Sequence, residues 1–450
     1  MDRRAQITEE LSRIDGHAPG NGLNKHKKMC LSPFVFYRGS AQLFYADLAS
    51  GKLALPKQKH IPLTTIMGDC HTSNFGFFTE EGSFDEQLVF SINDFDDACI
   101  GNGAWDIMRL LVSICLVEKH CKGVVSGAFH SEKDYSEKPV ISTRDVASAL
   151  DALLEGYCNV LEQGLTEHKN TSSHSLPAEM PSFLDASFSD FESPSPLKKR
   201  YKKALQIIRG GKRFEQKSSL AKAADLSSFP LKFKVDDSKY VQLNDGLEIH
   251  LNAQLAPYFY HDILDIVGRV GAGTGSVNMN RYYAIVGPKH SVAEDALDHS
   301  YIVEIKQQRE AAPLYHFTNM HPQNKLDSAH LTVKCQRRMQ RRSDYVLDHA
   351  MMDGKHWLIR SRHHAKVGID PEHIGIGEIN TDESGFVFYA NACGQELARA
   401  HCRADRYTWD YEKNMLGYLT EHADALMETA QEYAHQVEQD WLFLKSAEGL

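Results

Sequence analysis

The chain has 450 residues, more than one hydrophobic core usually serves, so two or three units are expected. Its 60 acidic residues against 50 Lys and Arg give a formal charge of −10, which argues against a nucleic-acid or anionic-membrane surface as the main partner. No run approaches eighteen apolar residues, and Met1 to Gly16 lacks the apolar core of a secretory signal, so no membrane partner is expected. Nine scattered cysteines without a CxxC pair fit a reduced cytoplasm better than a disulfide framework or a zinc cage. The 23 histidines show no HExxH or comparable spacing, and most are expected on the surface or satisfied in the core.

In chain order, residues 5–14 read as a short amphipathic helix that the Gly16 to Gly22 stretch breaks. Arg38 lies in the apolar segment SPFVFYRG, where an arginine is either structurally paired or poised for an anion, because an unpaired buried charge is costly. Apolar, β-prone runs at 61–67, 75–78 and 88–92 then flank two polar loops, MGDCHTSN and INDFDDACIGNGAWD. Asp69 and Asn74 share the first loop, and Asp94 closes the strand before the second. Asn74 and Asp94 are an oxygen-ligand pair suited to a hard cation such as Mg²⁺, which typically takes one or two carboxylates plus substrate phosphates. Asp69 would then be free to orient a hydroxyl or accept its proton. Asp and Asn also cap turns, and for one residue alone that is the simpler reading.

Residues 104–120 read as a buried helix with Asp106 in its first turn, where the helix dipole favours a carboxylate, and 146–165 as another. The Ser- and Pro-rich 171–196 stretch reads as a surface loop or linker, and KKRYKKAL, 198–205, begins a basic amphipathic helix. From 229 to 249 short β-like runs alternate with turns such as Asn244-Asp245-Gly246. A strand at 262–270 leads into GAGTGSVNMNRYYAIV, and a further strand from Tyr301 delivers Lys306 at its end. Glycines in such a turn let backbone N–H groups approach an anion, and Lys306 adds a positive charge. The rest reads as mostly helical, including the Arg-rich 326–352 stretch, with a strand at 356–362 and a helix at 394–402. A final helix from about Trp409 to Leu444 carries Leu416, Leu419, Ala423, Leu426, Ala430, Tyr433, Val437 and Trp441 on one packing face.

The pattern G-D-x-H-x-x-x-N followed by I-N-D-F-D-D-A-x-x-G-x-x-x-W-D resembles the catalytic and metal loops of aminoglycoside and choline phosphotransferases. Asp69 and Asn74 keep that family's five-residue interval between catalytic Asp and metal-binding Asn, and Asp94 and Asp106 keep its twelve-residue interval between metal-binding Asp and structural Asp. GQELARAH, 394–401, resembles the helix that precedes the catalytic loop in those enzymes. The resemblance implies a protein-kinase-like, two-lobed α+β fold with ATP and Mg²⁺ as cofactors. Asp69 would be catalytic, Asn74 and Asp94 would hold the metal, and Gly271, Gly273, Gly275, Ser276, Lys306 and Arg38 would hold the nucleotide phosphates. Lys306 follows Asp69 by more than two hundred residues, the reverse of the usual order, so a circular permutation with extra helices is expected. The implied units are 1–165 and 366–450 for the large lobe, 166–228 as linker and helix, and 229–365 as a β-rich nucleotide-binding lobe.

Over a greater length the chain resembles the bacterial family called domain of unknown function 2252, through SPFVFYRG, the Gly68 to Phe77 loop, Asn93 to Arg109, Gly271 to Val277 and Gly394 to Asp405. In three respects the sequence departs from these patterns: Ser276 stands where the last glycine would fall, Lys334 where an acid is expected, and Lys306 has no evident helical Glu partner, Glu310 being one candidate. The leading expectation is an ATP- and Mg²⁺-dependent phosphotransferase acting on an unknown acceptor, with an apolar slot for the base beside Ile302 and Glu304. The alternatives are a catalytically silent nucleotide-binding regulator and a metal-dependent hydrolase using His71 with Asp69, Asp94 and Asp96.

Overall fold

The computed structural model describes residues 2–57, 60–84, 88–171, 196–209, 220–236, 239–270, 279–289, 297–363, 365–377, 385–404 and 408–450. The Gly271 to Val277 segment and nearly all of the 171–196 stretch lie outside the described residues.

Strand alternation builds the β-rich part. Six strands pair antiparallel in the order Asp348–Met352, Lys355–Ser361, Tyr301–Gln307, Arg281–Gly287, Asp262–Arg269 and Tyr240–Gln242. On the central strand, Tyr301, Val303 and Ile305 point into a core with Ile266, Ala284, Trp357 and Ile359. The period of two then sends Ile302, Glu304 and Lys306 to the opposite face, where Lys306 stands in register between Arg281 and Leu358.

A larger core joins the long helices Gly103–Val125, Thr143–Thr171, Gly385–Ala404 and Asp410–Ala447. The first of these starts at Asn102, whose side chain accepts from Ala104 N–H, and the residues from Gly103 to Ser113 are all buried. Close approach of the second and third depends on glycine, since a Cβ at Gly394 would lie 2.1 Å from the Leu153 carbonyl oxygen. The final helix buries Leu419, Leu426, Ala430, Tyr433, Val437 and Trp441 of its expected stripe, with Leu416 and Ala423 partly buried. Two small sheets sit on this helical body. Lys366–Gly368, Phe75–Thr79 and Leu88–Ile92 form one, and Thr64–Ile66 pairs with Cys99–Gly101 in the other. The architecture is α+β, and no described helix is long and apolar enough to cross a membrane.

Two local expectations are corrected. Asn244-Asp245-Gly246 is a helix start, not a turn: the Asn244 side chain accepts from Leu247 N–H and caps Asp245–Leu255. The 326–352 stretch is helical only over Ser328–Met339, and Asp348–Met352 is the edge strand of the large sheet. Asp344 turns the chain between them by accepting from Ser361 N–H and from Val346 N–H.

Candidate functional site

The two polar loops hang from the paired strands Thr64–Ile66 and Cys99–Gly101, and Asp106 ties them together. Its carboxylate accepts from Met67 N–H at 2.6 Å and from Gly68 N–H at 3.1 Å. The same carboxylate meets His401 Nε2 at 3.1 Å, and Asp106 and His401 are wholly buried. His401 Nδ1 in turn meets the Tyr157 and Tyr411 hydroxyls at 2.7 and 3.1 Å. Gly68 must be glycine, because its φ is +75° and a Cβ would lie 1.9 Å from the Asp97 carbonyl oxygen.

Held this way, the loops present Asp69, Asn74, Asp94 and Asp96 to one cleft of about 180 Å³, whose opposite wall is the large sheet. Arg38, Lys306, Gln308, Arg309 and Arg360 also line it. Asn74 donates its amide to the Asp69 carbonyl at 2.9 Å, which turns its own side-chain oxygen away from that bond. Asp94 accepts from Asp96 N–H at 3.3 Å. Asp97 anchors the loop to the sheet side by accepting from Ala312 N–H at 2.7 Å and by pairing with Arg309 at 3.1 Å.

Lys306 reaches across from the sheet and forms an ion pair with Asp96. Burial, with Arg360, Arg309 and Lys366 assisting, pulls its pKa down to about 7, and Asp94 opposes the shift. Its partner is therefore an acid of the second loop. Glu310 lines a neighbouring cavity, Lys334 is exposed, and Glu304 is occupied elsewhere. Glu304 pairs with Arg281 at 3.2 Å and Arg360 at 2.7 Å, and these arginines overcome its burial to hold the carboxyl down at about 2.

Asp69 lies against Arg109 at 2.5 Å and 3.7 Å from His71 Nε2. Burial pushes its carboxyl up to about 6, Arg109 opposing and Asp97 and Asp94 assisting. A carboxylate titrating there is ionised at neutral pH yet basic enough to take a proton. Burial holds the His71 imidazole well below its usual value, so it is neutral at pH 7. Arg38 has its guanidinium 5.9 Å from the Phe34 ring centre, and its buried Nε has no hydrogen-bond partner among the described residues.

Thus the structure brings Asp69, Asn74, Asp94, Lys306 and Arg38 to one cleft and sets Asp106 behind it. Gly271, Gly273, Gly275 and Ser276 lie outside the described residues, although Met279 and Arg281, which follow them, line the cleft. One expectation differs. Among the described residues no apolar slot lies beside the strand that carries Ile302 and Glu304: Ile302 is packed into a separate core, and Met67 and Met279 are the apolar side chains of the described lining. Reading the sequence also missed Arg109, Arg309 and Arg360. Arg109 lay three residues past Asp106 on an obviously buried helix, which was the available signal.

No curated protein and no solved structure gives a significant match to this chain. The family model described as "Uncharacterized protein conserved in bacteria (DUF2252)" matches residues 19–127 and 136–447, and the chain belongs to that family.

Proposed function

We propose that the protein is an ATP- and Mg²⁺-dependent phosphotransferase of kinase-like type, its two lobes circularly permuted in sequence and its acceptor a hydroxylated molecule. The observation that carries this reading is the Lys306–Asp96 contact, which bridges the sheet and the metal loop across 210 residues of chain. A meander of strands followed by a lysine at the end of the third, facing an Asp/Asn loop pair, is the arrangement by which kinases position a triphosphate. On this reading residues 229–365 form the nucleotide lobe and 1–165 with 366–450 the large lobe, joined by 166–228.

The donor set fits the cation. Among the described residues no hydrogen bond engages the Asn74 side-chain oxygen and Asp94 accepts one weak one, so together they would hold Mg²⁺, whose charge offsets that of the phosphates. Asp69 accepts the proton of the acceptor hydroxyl as its oxygen forms a bond to the γ-phosphorus. The bond from that phosphorus to the β,γ-bridging oxygen breaks, and ADP leaves with the electron pair. Lys306 and Arg38 stabilise the phosphate oxygens, Lys306 by exchanging Asp96 for phosphate. Arg109 orients Asp69 and limits the rise of its pKa.

A hydrolase would require His71, Asp69, Asp94 and Asp96 to converge on one ion, with Asp96 released from its ion pair with Lys306 and no role left for that lysine. The test is thermal stability with millimolar Mg·ATP for the wild type and for Lys306→Ala, followed by a search for ATP turnover with hydroxylated acceptors. Stabilisation that Lys306→Ala removes supports the reading. Stabilisation without turnover assigns a silent binder, and a metal-dependent activity indifferent to Lys306→Ala assigns the hydrolase.

A further inference from the structure

Away from the acidic loops, three metal-ligating side chains converge where the Ser328–Met339 helix meets the edge of the large sheet. Ligand atoms of Asp327, His330 and His349 all lie within 4.8 Å of one another. Asp327 is the residue that caps the helix, accepting from His330 N–H through Oδ1 at 2.9 Å. Its Oδ2 is 4.0 Å from His330 Nδ1. The His330 and His349 rings stack with centres 4.2 Å apart and planes 8° from parallel. A third imidazole stands beside the carboxylate, with His356 Nδ1 3.4 Å from Asp327 Oδ1. An outer carboxylate is in place as well, Asp348 Oδ1 lying 3.5 Å from His349 Nδ1, the relation that fixes the tautomer of a ligating imidazole.

Imidazole nitrogens from a helix start and an edge strand thus stand within reach of one carboxylate. Nitrogen donors with one carboxylate suit Zn²⁺ and its neighbours, whereas Mg²⁺ prefers oxygen alone. With Zn–N bonds of about 2.0–2.1 Å, tetrahedral ligands sit roughly 3.4 Å apart, so side-chain rotation at these partly exposed positions closes the set.

We propose that Asp327, His330 and His349 form a site for a borderline divalent metal of the Zn²⁺ type, with water completing the coordination. The bound ion would tie the start of the Ser328–Met339 helix to the strand Asp348–Met352. Asp327 and His356 also line a second cavity of about 180 Å³ together with Asp96 and Arg309, which face the main cleft. The site is thus one shared wall from the Lys306 partner, and it stands independently of the phosphotransferase reading.

The experiment uses the full chain, stripped with chelator and dialysed, and titrates it with Zn²⁺ by calorimetry and with Co²⁺ by visible absorption. The expected result is one Zn²⁺ per chain and a d–d spectrum without thiolate charge-transfer bands. His330→Ala/His349→Ala should weaken binding by about 100-fold or more, since even outer-shell changes cost 10–100-fold. Asp327→Asn keeps the helix cap but removes the anionic ligand, so it should weaken binding while leaving the circular dichroism spectrum unchanged. Asp94→Ala, in the main cleft, should leave Zn²⁺ stoichiometry unaltered. Absence of stoichiometric binding, thiolate bands in the Co²⁺ spectrum, or equal affinity in the double variant would overturn the proposal.

Discussion

Replacing Asp106 with alanine should unhinge both polar loops at once. Its carboxylate satisfies Met67 N–H, Gly68 N–H and His401 Nε2, and every one of these contacts is buried. An Ala side chain leaves three polar groups without a partner in a dry interior, at about 1–3 kcal/mol each, so a total loss of ~3–6 kcal/mol is expected once partial relaxation is allowed for. Asp106→Asn keeps one acceptor oxygen and should lose about half as much. Urea unfolding followed by circular dichroism measures this, with the unfolding midpoint falling in the order wild type, Asn, Ala. Since the same contacts aim Asp69 and Asn74, Mg·ATP stabilisation should weaken in parallel. An Asp106→Ala midpoint indistinguishable from wild type would refute the hinge role.

Further outcomes follow from the same contacts. At a ligand concentration about a hundred times Kd, Mg·ATP should stabilise the wild type by roughly 2.7 kcal/mol, and Asp94→Ala should abolish the Mg²⁺-dependent part of the melting-temperature shift. Activity should rise with pH through about 6 as Asp69 loses its proton, and Arg109→Gln should move that limb to higher pH because the guanidinium opposes the upward shift. For stability the sign is reversed: folded Asp69 holds its proton to higher pH than the ordinary 3.8, so its contribution falls as pH rises from about 4 to 6, measurable as a decline in melting temperature that Asp69→Asn removes.

Local intervals made the acidic loops legible. Asp69 with Asn74, and Asp94 with Asp106, are spaced by turns that the chain forms from neighbouring residues, and the strands flanking them alternate or run apolar in plain view. What lay beyond reach depended on long-range packing. Lys306 was read as a phosphate contact, yet its partner Asp96 is set by how the sheet docks on the loops, which no spacing encodes. Arg309 and Arg360 became lining residues for the same reason. Asn244-Asp245-Gly246 has turn composition, but Asn is as good a helix cap as a turn former, and burial of Leu251 and Leu255 decided between them. His330 and His349 are nineteen positions apart and meet only because a helix start and an edge strand lie side by side.

The most direct measurement is a structure of the protein crystallised with Mg²⁺ and a non-hydrolysable ATP analogue. The phosphotransferase reading predicts a metal held by the Asn74 side-chain oxygen and Asp94, the Lys306 ammonium moved from Asp96 onto a phosphate oxygen, and Asp69 facing the γ-phosphate from the acceptor side. An analogue bound elsewhere, or a cleft in which Lys306 keeps Asp96 while a metal collects His71, Asp69 and Asp94 without nucleotide, would contradict it.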